Sequence, residues 1–205
     1  VAVIDQDWAR YSDAEHAVWR TLFERQSRCV ASRACDAFMA GMAQLPMSVP
    51  EGLEDYRYAE LMLALPADWP VDADSWEDER WYWPIRLLKT LARFPHEYET
   101  FLYLGHTIPN GGPPEPYAVD TSLCGALIAR PPPLMTSETA SFEVPDGRIV
   151  HLNGVVPLHR EEMDFKLDKG VVELANRLDE AGVTEFVDPA RPSVVERKRR
   201  LFGRG

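Results

Sequence analysis

The stretch SFEVPDGRIVHL, residues 141–152, decides the fold class. Ser141–Val144 and Arg148–Leu152 are short runs rich in strand-forming residues, and Pro145-Asp146-Gly147 stands between them. Proline presets φ for the first corner of a turn, and glycine accepts the positive φ that the reversal needs. Two strands joined so tightly are antiparallel. A second turn reads at Asn153-Gly154 and leads into Val155–Leu158. Elsewhere strands and helices alternate, so late antiparallel hairpins make the class α+β. The expected architecture is a mixed β-sheet with flanking helices, preceded by an N-terminal helical segment.

Downstream, Asp164–Ala181 reads as a helix with Val171, Leu174, Ala175, Leu178 and Ala181 on one face. Gly182 follows where a left-handed glycine ends helices. Upstream, residues 121–130 (TSLCGALIAR) read as a buried strand stopped by Pro131, Pro132 and Pro133. His106–Pro116 is a turn-rich loop after a strand at Tyr98–Leu104. Pro84 suits the first turn of a helix, which Ile85, Leu87, Leu88, Leu91 and Ala92 continue as far as Pro95. Residues 66–80 carry Asp68, Asp72, Asp74, Glu77, Asp78 and Glu79 and read as a solvated loop. Tyr56–Leu65 is a strand stopped by Pro66. Residues 12–45 hold no proline. Ser12 and Glu15 have capping-box spacing, and Val18, Leu22, Phe23, Val30, Phe38, Met42 and Leu45 suit one or two amphipathic helices.

The chain is acidic: 22 Lys and Arg against 33 Asp and Glu leave −11 over 205 residues. A general nucleic-acid binder needs a basic face for phosphates, and so does an electrostatic membrane binder. At 45% hydrophobic residues there is material for a core. No apolar run approaches the ~18 residues of a membrane span, and VAVIDQDW is too short and acidic to be a signal peptide. Cys29, Cys35 and Cys124 are odd in number and form no C-x-x-C pair. They read as reduced thiols of a cytoplasmic protein.

Asp5-Gln6-Asp7-Trp8, Tyr11-Ser12, Glu15-His16, Trp19-Arg20, Leu22-Phe23-Glu24-Arg25-Gln26 and Ala34-Cys35-Asp36 resemble the start of the bacterial phenylalanine hydroxylase catalytic domain. That resemblance covers about residues 1–45. It implies non-haem iron held by two His and a carboxylate, and a pterin. The usual carrier is a His-Glu-x-x-His helix. Here the one His-Glu pair is His96-Glu97, and Thr100 stands where the second His belongs. The segment reads as helices without the enzyme's metal site.

Residues 46–195 resemble the suppressor-of-fused domain. The motifs are Leu45–Gly52 (LPMSVPEG), Tyr58–Leu65 with Pro66 and Trp69, Tyr82-Trp83-Pro84, Gly105–Gly111 (GHTIPNG), Pro157–Phe165 (PLHREEMDF) and Asp188–Val194 (DPARPSV). The resemblance implies a mixed sheet with flanking helices, no established catalysis, and a protein partner. The animal member binds zinc-finger transcription factors and holds them inactive; bacterial relatives look like immunity proteins that neutralise toxins. In that family strands precede the position of Leu45, and here the hydroxylase-like helices stand in their place. Residues 196–205 form a basic tail.

No catalytic residue, metal ligand or cofactor is assigned. Asn110-Gly111-Gly112 runs into two prolines rather than a phosphate-binding helix, and no G-x-S-x-G elbow occurs. His159, Glu161 and Glu162 do not face one way on a helix and read as a solvated helix start favoured by the dipole. Partner contacts fall in two places. His106, Asn110 and Tyr117 lie on a proline-stiffened loop; His106 reads either as a cleft residue or as a loop anchor bonded to a carbonyl. Asp74, Glu77 and Asp78 stand beside Trp76 and Trp81, read as near the surface, with Trp69 and Trp83 in the core. Aromatics are enriched in interfaces and acids steer a basic partner.

Three functions follow. The first is a non-enzymatic protein-binding module of the suppressor-of-fused type, its partner a toxin domain or another basic protein. The second is an iron- and pterin-dependent hydroxylase-related fragment, inactive for want of the metal motif. The third is a fusion whose helices only cover the sheet.

Overall fold

The computed structural model describes residues 2–3, 34–39, 42–130 and 141–195. Among them, seven strands form one mixed sheet: β1 (Ala2–Val3), β2 (Ala34–Met39), β3 (Ala59–Pro66), β4 (Thr107–Pro109), β5 (Leu123–Ala129), β6 (Ser141–Glu143) and β7 (Ile149–His159). Their order is β1-β2-β3-β7-β5-β4, with β6 paired to β7 beside that path. The helices are α1 (Glu79–Glu97), α2 (Arg160–Lys169) and α3 (Val171–Glu180). β3 and β7 run parallel, while β2–β3, β5–β7 and β6–β7 are antiparallel. The α+β class holds.

The deciding hairpin forms as read. Ser141 pairs with His151 and Glu143 with Ile149. Gly147 takes φ +86°, its amide donating to Val144 O at 2.8 Å. The second turn, at Asn153-Gly154, does not form: β7 runs unbroken through both residues to His159. Gly154 answers a close approach instead. A Cβ there would stand 2.8 Å from the carbonyl oxygen of Arg130, so this glycine lets backbones meet rather than turning the chain.

The sheet is covered on both faces, which is why β3 is apolar without alternation from Leu61 onward, past the buried Glu60. On one face Trp83, Ile85, Leu88 and Leu91 of α1 pack with Leu61, Leu63, Ala126, Ile128 and Val155. On the other, Met163 of α2 and Leu174 and Leu178 of α3 pack with Leu127, Val156 and Leu158. Consecutive residues of β5 and β7 serve opposite layers, as the strand period requires.

Several boundaries move. α1 begins at Glu79, capped by Asp78, whose Oδ1 accepts from the Arg80 amide at 2.9 Å. Pro84 therefore lies past the first turn, and the helix passes Pro95 to end at Glu97. Tyr98–Leu104 is a connector and not a strand: Glu99 adopts φ 49°, and pairing resumes only in β4, inside the loop read at His106–Pro116. The helix expected at Asp164–Ala181 starts earlier, at Arg160, and breaks at Gly170, where φ is +92°. On its second half Leu174 and Leu178 are buried, while Ala175 and Ala181 are exposed. Gly182, with φ +67°, ends α3 as read.

The largest correction concerns residues 12–45. Ala34–Met39 is a strand, not helix, pairing antiparallel with β3 from Ala34↔Pro66 to Met39↔Leu61. The strand preceding Leu45 is thus present. The physical reason is tertiary: β3 presents a backbone edge beside an apolar run, and unpaired buried amides are expensive, so pairing overrides local helical pattern. The Ser12 cap, the stripe from Val18 to Val30, Pro131–Pro133 and the basic tail lie outside the described residues.

Candidate partner-binding surface

The acidic segment is built, not slack. Asp72 accepts from the Ser75 amide at 2.9 Å and the Ser75 hydroxyl at 2.8 Å, and those bonds hold its carboxyl below the usual range. A 3-10 turn, Ser75–Glu77, carries the chain to Asp78. The Arg80 side chain and amide hold the Asp78 carboxyl below its usual range as well, so both acids are charged. Asp74 and Glu77 are exposed.

Beneath them the tryptophans divide as read. Trp69 and Trp83 are buried, and Trp76 and Trp81 are half-buried against the core. Trp81 meets Trp69 edge to face at 5.3 Å. Trp69 Nε1 donates to the Trp81 carbonyl at 3.0 Å, which fixes the start of α1 to the acidic loop.

The proline-stiffened loop splits its three residues. Tyr117 is buried and stacked on Trp83, with ring centroids 5.1 Å apart and planes 6° from parallel. Burial pushes its hydroxyl far above the usual tyrosine range. It supports the loop from beneath and offers no free ring. Asn110 closes the loop on itself: Nδ2 donates to Glu115 O at 2.7 Å, and its amide donates to Cys124 O at 2.8 Å. His106 lies at the other end of β4, its ring edge-on to Phe101 at 5.0 Å. Burial lowers its pKa, against the pull of the Phe101 carbonyl. The ring packs against Phe101 and Tyr103, aromatic residues of the connector before β4.

What the fold does bring together is the start of α1 and the loop after Tyr117. Arg86 Nη2 lies 2.9 Å from the Glu79 carboxylate and donates to Tyr117 O at 2.9 Å. Asp78 first, through its hydrogen bonds and charge, and Asp120 to a lesser degree, favour the charged Arg80 guanidinium. Val119, 95% exposed, and Asp120 stand open on the loop that Arg86 ties to Glu79, a link that sequence spacing did not show.

A buried polar cluster corrects the solvated helix start read at His159–Glu162. Glu162 is fully buried and faces Arg191, with Nη1–Oε1 2.7 Å and Nη2–Oε2 2.6 Å. The amides of His159 and Val194 complete its bonds at 2.8 and 2.9 Å. His159 is buried too, its Nε2 3.0 Å from Arg191 O and its Nδ1 3.1 Å from Ser122 Oγ. A carbonyl only accepts, so Nε2 donates to Arg191 O. Both Glu162 oxygens, both His159 ring nitrogens and both terminal nitrogens of Arg191 are bonded, which makes the cluster a clasp on the C-terminal segment.

Among the described residues, no three of His, Cys, Asp and Glu gather to hold a metal ion, and no helix is long and apolar enough to cross a membrane. α1 ends at Glu97, so His96 and Thr100 do not share a helical face.

The family model of the suppressor of fused protein matches residues 38–192, most of the chain. The chain belongs to the suppressor of fused family. A solved structure described as a SUFU (suppressor of fused protein) homolog from Neisseria gonorrhoeae FA 1090 shares the fold. Its TM-score is 0.52 at 18% identity, covering 86% of this chain and 96% of that one. The Sufu-Fu complex matches with TM-score 0.49 at 17% identity, over 71% of this chain and 62% of that one. The N-terminal segment matches the phenylalanine-4-hydroxylase of Caulobacter vibrioides, 41% identical over 70 residues, 34% of this chain and 24% of that protein. The same enzyme of Ralstonia nicotianae is 37% identical over 70 residues, 34% of this chain and 22% of that protein. The chain thus spans about a quarter of the length of these curated relatives.

Proposed function

We propose that this suppressor-of-fused chain is a non-enzymatic protein-binding module whose partner is basic. Family membership over residues 38–192 carries the reading. The charge of −11 and the exposed acids near the start of α1 support it, because such a field draws a basic partner in from a distance. The proposed contacts are Asp74, Trp76, Glu77, Asp78 and Trp81, joined by Val119 and Asp120. His106 and Asn110 enter as residues that hold the loop's shape, with Tyr117 beneath them. The finer reading is a bacterial immunity protein that neutralises a basic toxin domain in the cytoplasm.

The test is association kinetics with a partner encoded beside this gene. Association should slow as salt rises, and Asp74→Asn with Glu77→Gln and Asp120→Asn should slow it at low salt without changing the melt. An association rate indifferent to both salt and these substitutions would overturn the basic-partner reading.

A further inference from the structure

A groove of about 500 Å³ lies on the opposite layer from α1, between α3 and the sheet. Its wall is Val171, Ala175 and Leu178; its floor includes Leu127 and Val156. The charged residues gather at one end. Gly154 stands under the carbonyl of Arg130 and near Glu185 Cβ, and Asp179, in the last turn of α3, lines the same groove. At the other end Gly105 abuts Val171, where a Cβ would come within 3.2 Å of the valine. The groove is therefore an apolar trough with a polar stop.

Its size lies in the ~300–1,000 Å³ range of ligand sites, but such sites enclose 70–90% of a small ligand. This one is open along one side, and Val172, 71% exposed, stands on its rim. An open apolar trough is suited to one face of a polypeptide. The charges say which kind. Asp179 and Glu185 outnumber Arg130 at the polar end, and the chain as a whole is strongly negative.

We propose that this groove takes the apolar face of a partner's amphipathic helix, with a Lys or Arg of that helix meeting Asp179. The inference rests on the reading of the chain as a protein-binding module and adds a second surface to it.

The experiment uses the full chain and three probes: a Leu/Lys peptide with leucines at i, i+3, i+4 and i+7, the same peptide with Glu for Lys, and dodecanoate. Ala175→Trp fills the groove from an exposed wall position without adding charge. The Leu/Lys peptide should bind, and Ala175→Trp should weaken it about tenfold, the size of a lost interface anchor. Asp179→Lys should weaken the Leu/Lys peptide and strengthen the Leu/Glu peptide. Equal binding by wild type and Ala175→Trp overturns the proposal, as does equal affinity for both peptides, or binding of dodecanoate alone. Thermal melts of both variants check that they fold. A natural partner that binds Ala175→Trp as tightly as wild type would sink the groove and leave the protein-binding module standing. A chain whose genetic partner does not bind at all would fail the module itself.

Discussion

Removing the Arg191 guanidinium leaves the Glu162 carboxylate inside the protein with only the amides of His159 and Val194 as donors. Breaking such a pair from one side leaves a buried, uncompensated charge. Arg191→Met is expected to cost about 3–5 kcal/mol in urea unfolding. The double change with Glu162→Met should cost far less, since an apolar pair needs no compensation; equal losses would mean the charge is not the cause. His106 yields a pH prediction. Burial lowers its folded pKa, whereas the unfolded chain takes up the proton near about 6.5. Below that pH the unfolded state binds more protons, so stability falls as pH drops. His106→Gln should flatten that fall between about pH 7 and about pH 5, and an unchanged slope would show that another group carries it. Trp83 was legible as core from the apolar helix face that follows it, whereas Trp69 is buried although it stands in an acid-rich loop. Glu162 was not legible, because its partner stands 29 residues away and an acid at a helix start looks alike whether solvated or clasped.

Strands and helices were legible where one layer dictates the pattern. β5 and the β6–β7 hairpin stand where turn chemistry and apolar runs put them. Glycines misled, because three roles share one residue. Gly147 turns the chain, Gly170 breaks a helix, and Gly154 admits a neighbouring carbonyl. That last role makes a prediction at this scale. Gly154→Ala should cost about 1–3 kcal/mol by overpacking against backbone that has nowhere to go. The loss should appear locally, as faster amide exchange at Ala129 and Val155, where β5 and β7 pair. Uniformly accelerated exchange across the sheet would point to global destabilisation instead. The candidate surface was half legible: the acidic segment was visible in composition. The link to the loop of Val119 and Asp120 was not, since it depends on Arg86 spanning from Glu79 to the Tyr117 carbonyl.

For the whole molecule the open question is how a segment resembling one family serves the fold of another. β2 answers part of it. Residues 34–39 bear part of the hydroxylase-like pattern and also pair along the length of β3. β3 is held by β7 on its other side only through Ala59–Met62, with Ala64 bridged to Phe186 farther along. Without β2, the edge of a buried apolar strand would face water, and such an edge is a template for aggregation. The β3 backbone from Leu61 to Pro66 would lose its pairing partner, at about 1–3 kcal/mol for each buried backbone group left unsatisfied. Even a partial loss of that pairing consumes much of a typical net stability of about 5–15 kcal/mol. Deleting residues 1–44 is therefore expected to give aggregate, or a species that binds a hydrophobic dye and melts without cooperativity. The helical stripe alone would make any deletion reaching Val30 as harmful as that one. The strand account sets the threshold at β2, so a chain starting at residue 33 should keep a cooperative melt, measured by calorimetry, that a chain starting at residue 45 loses. If both truncations melt alike, β2 is not what completes the sheet.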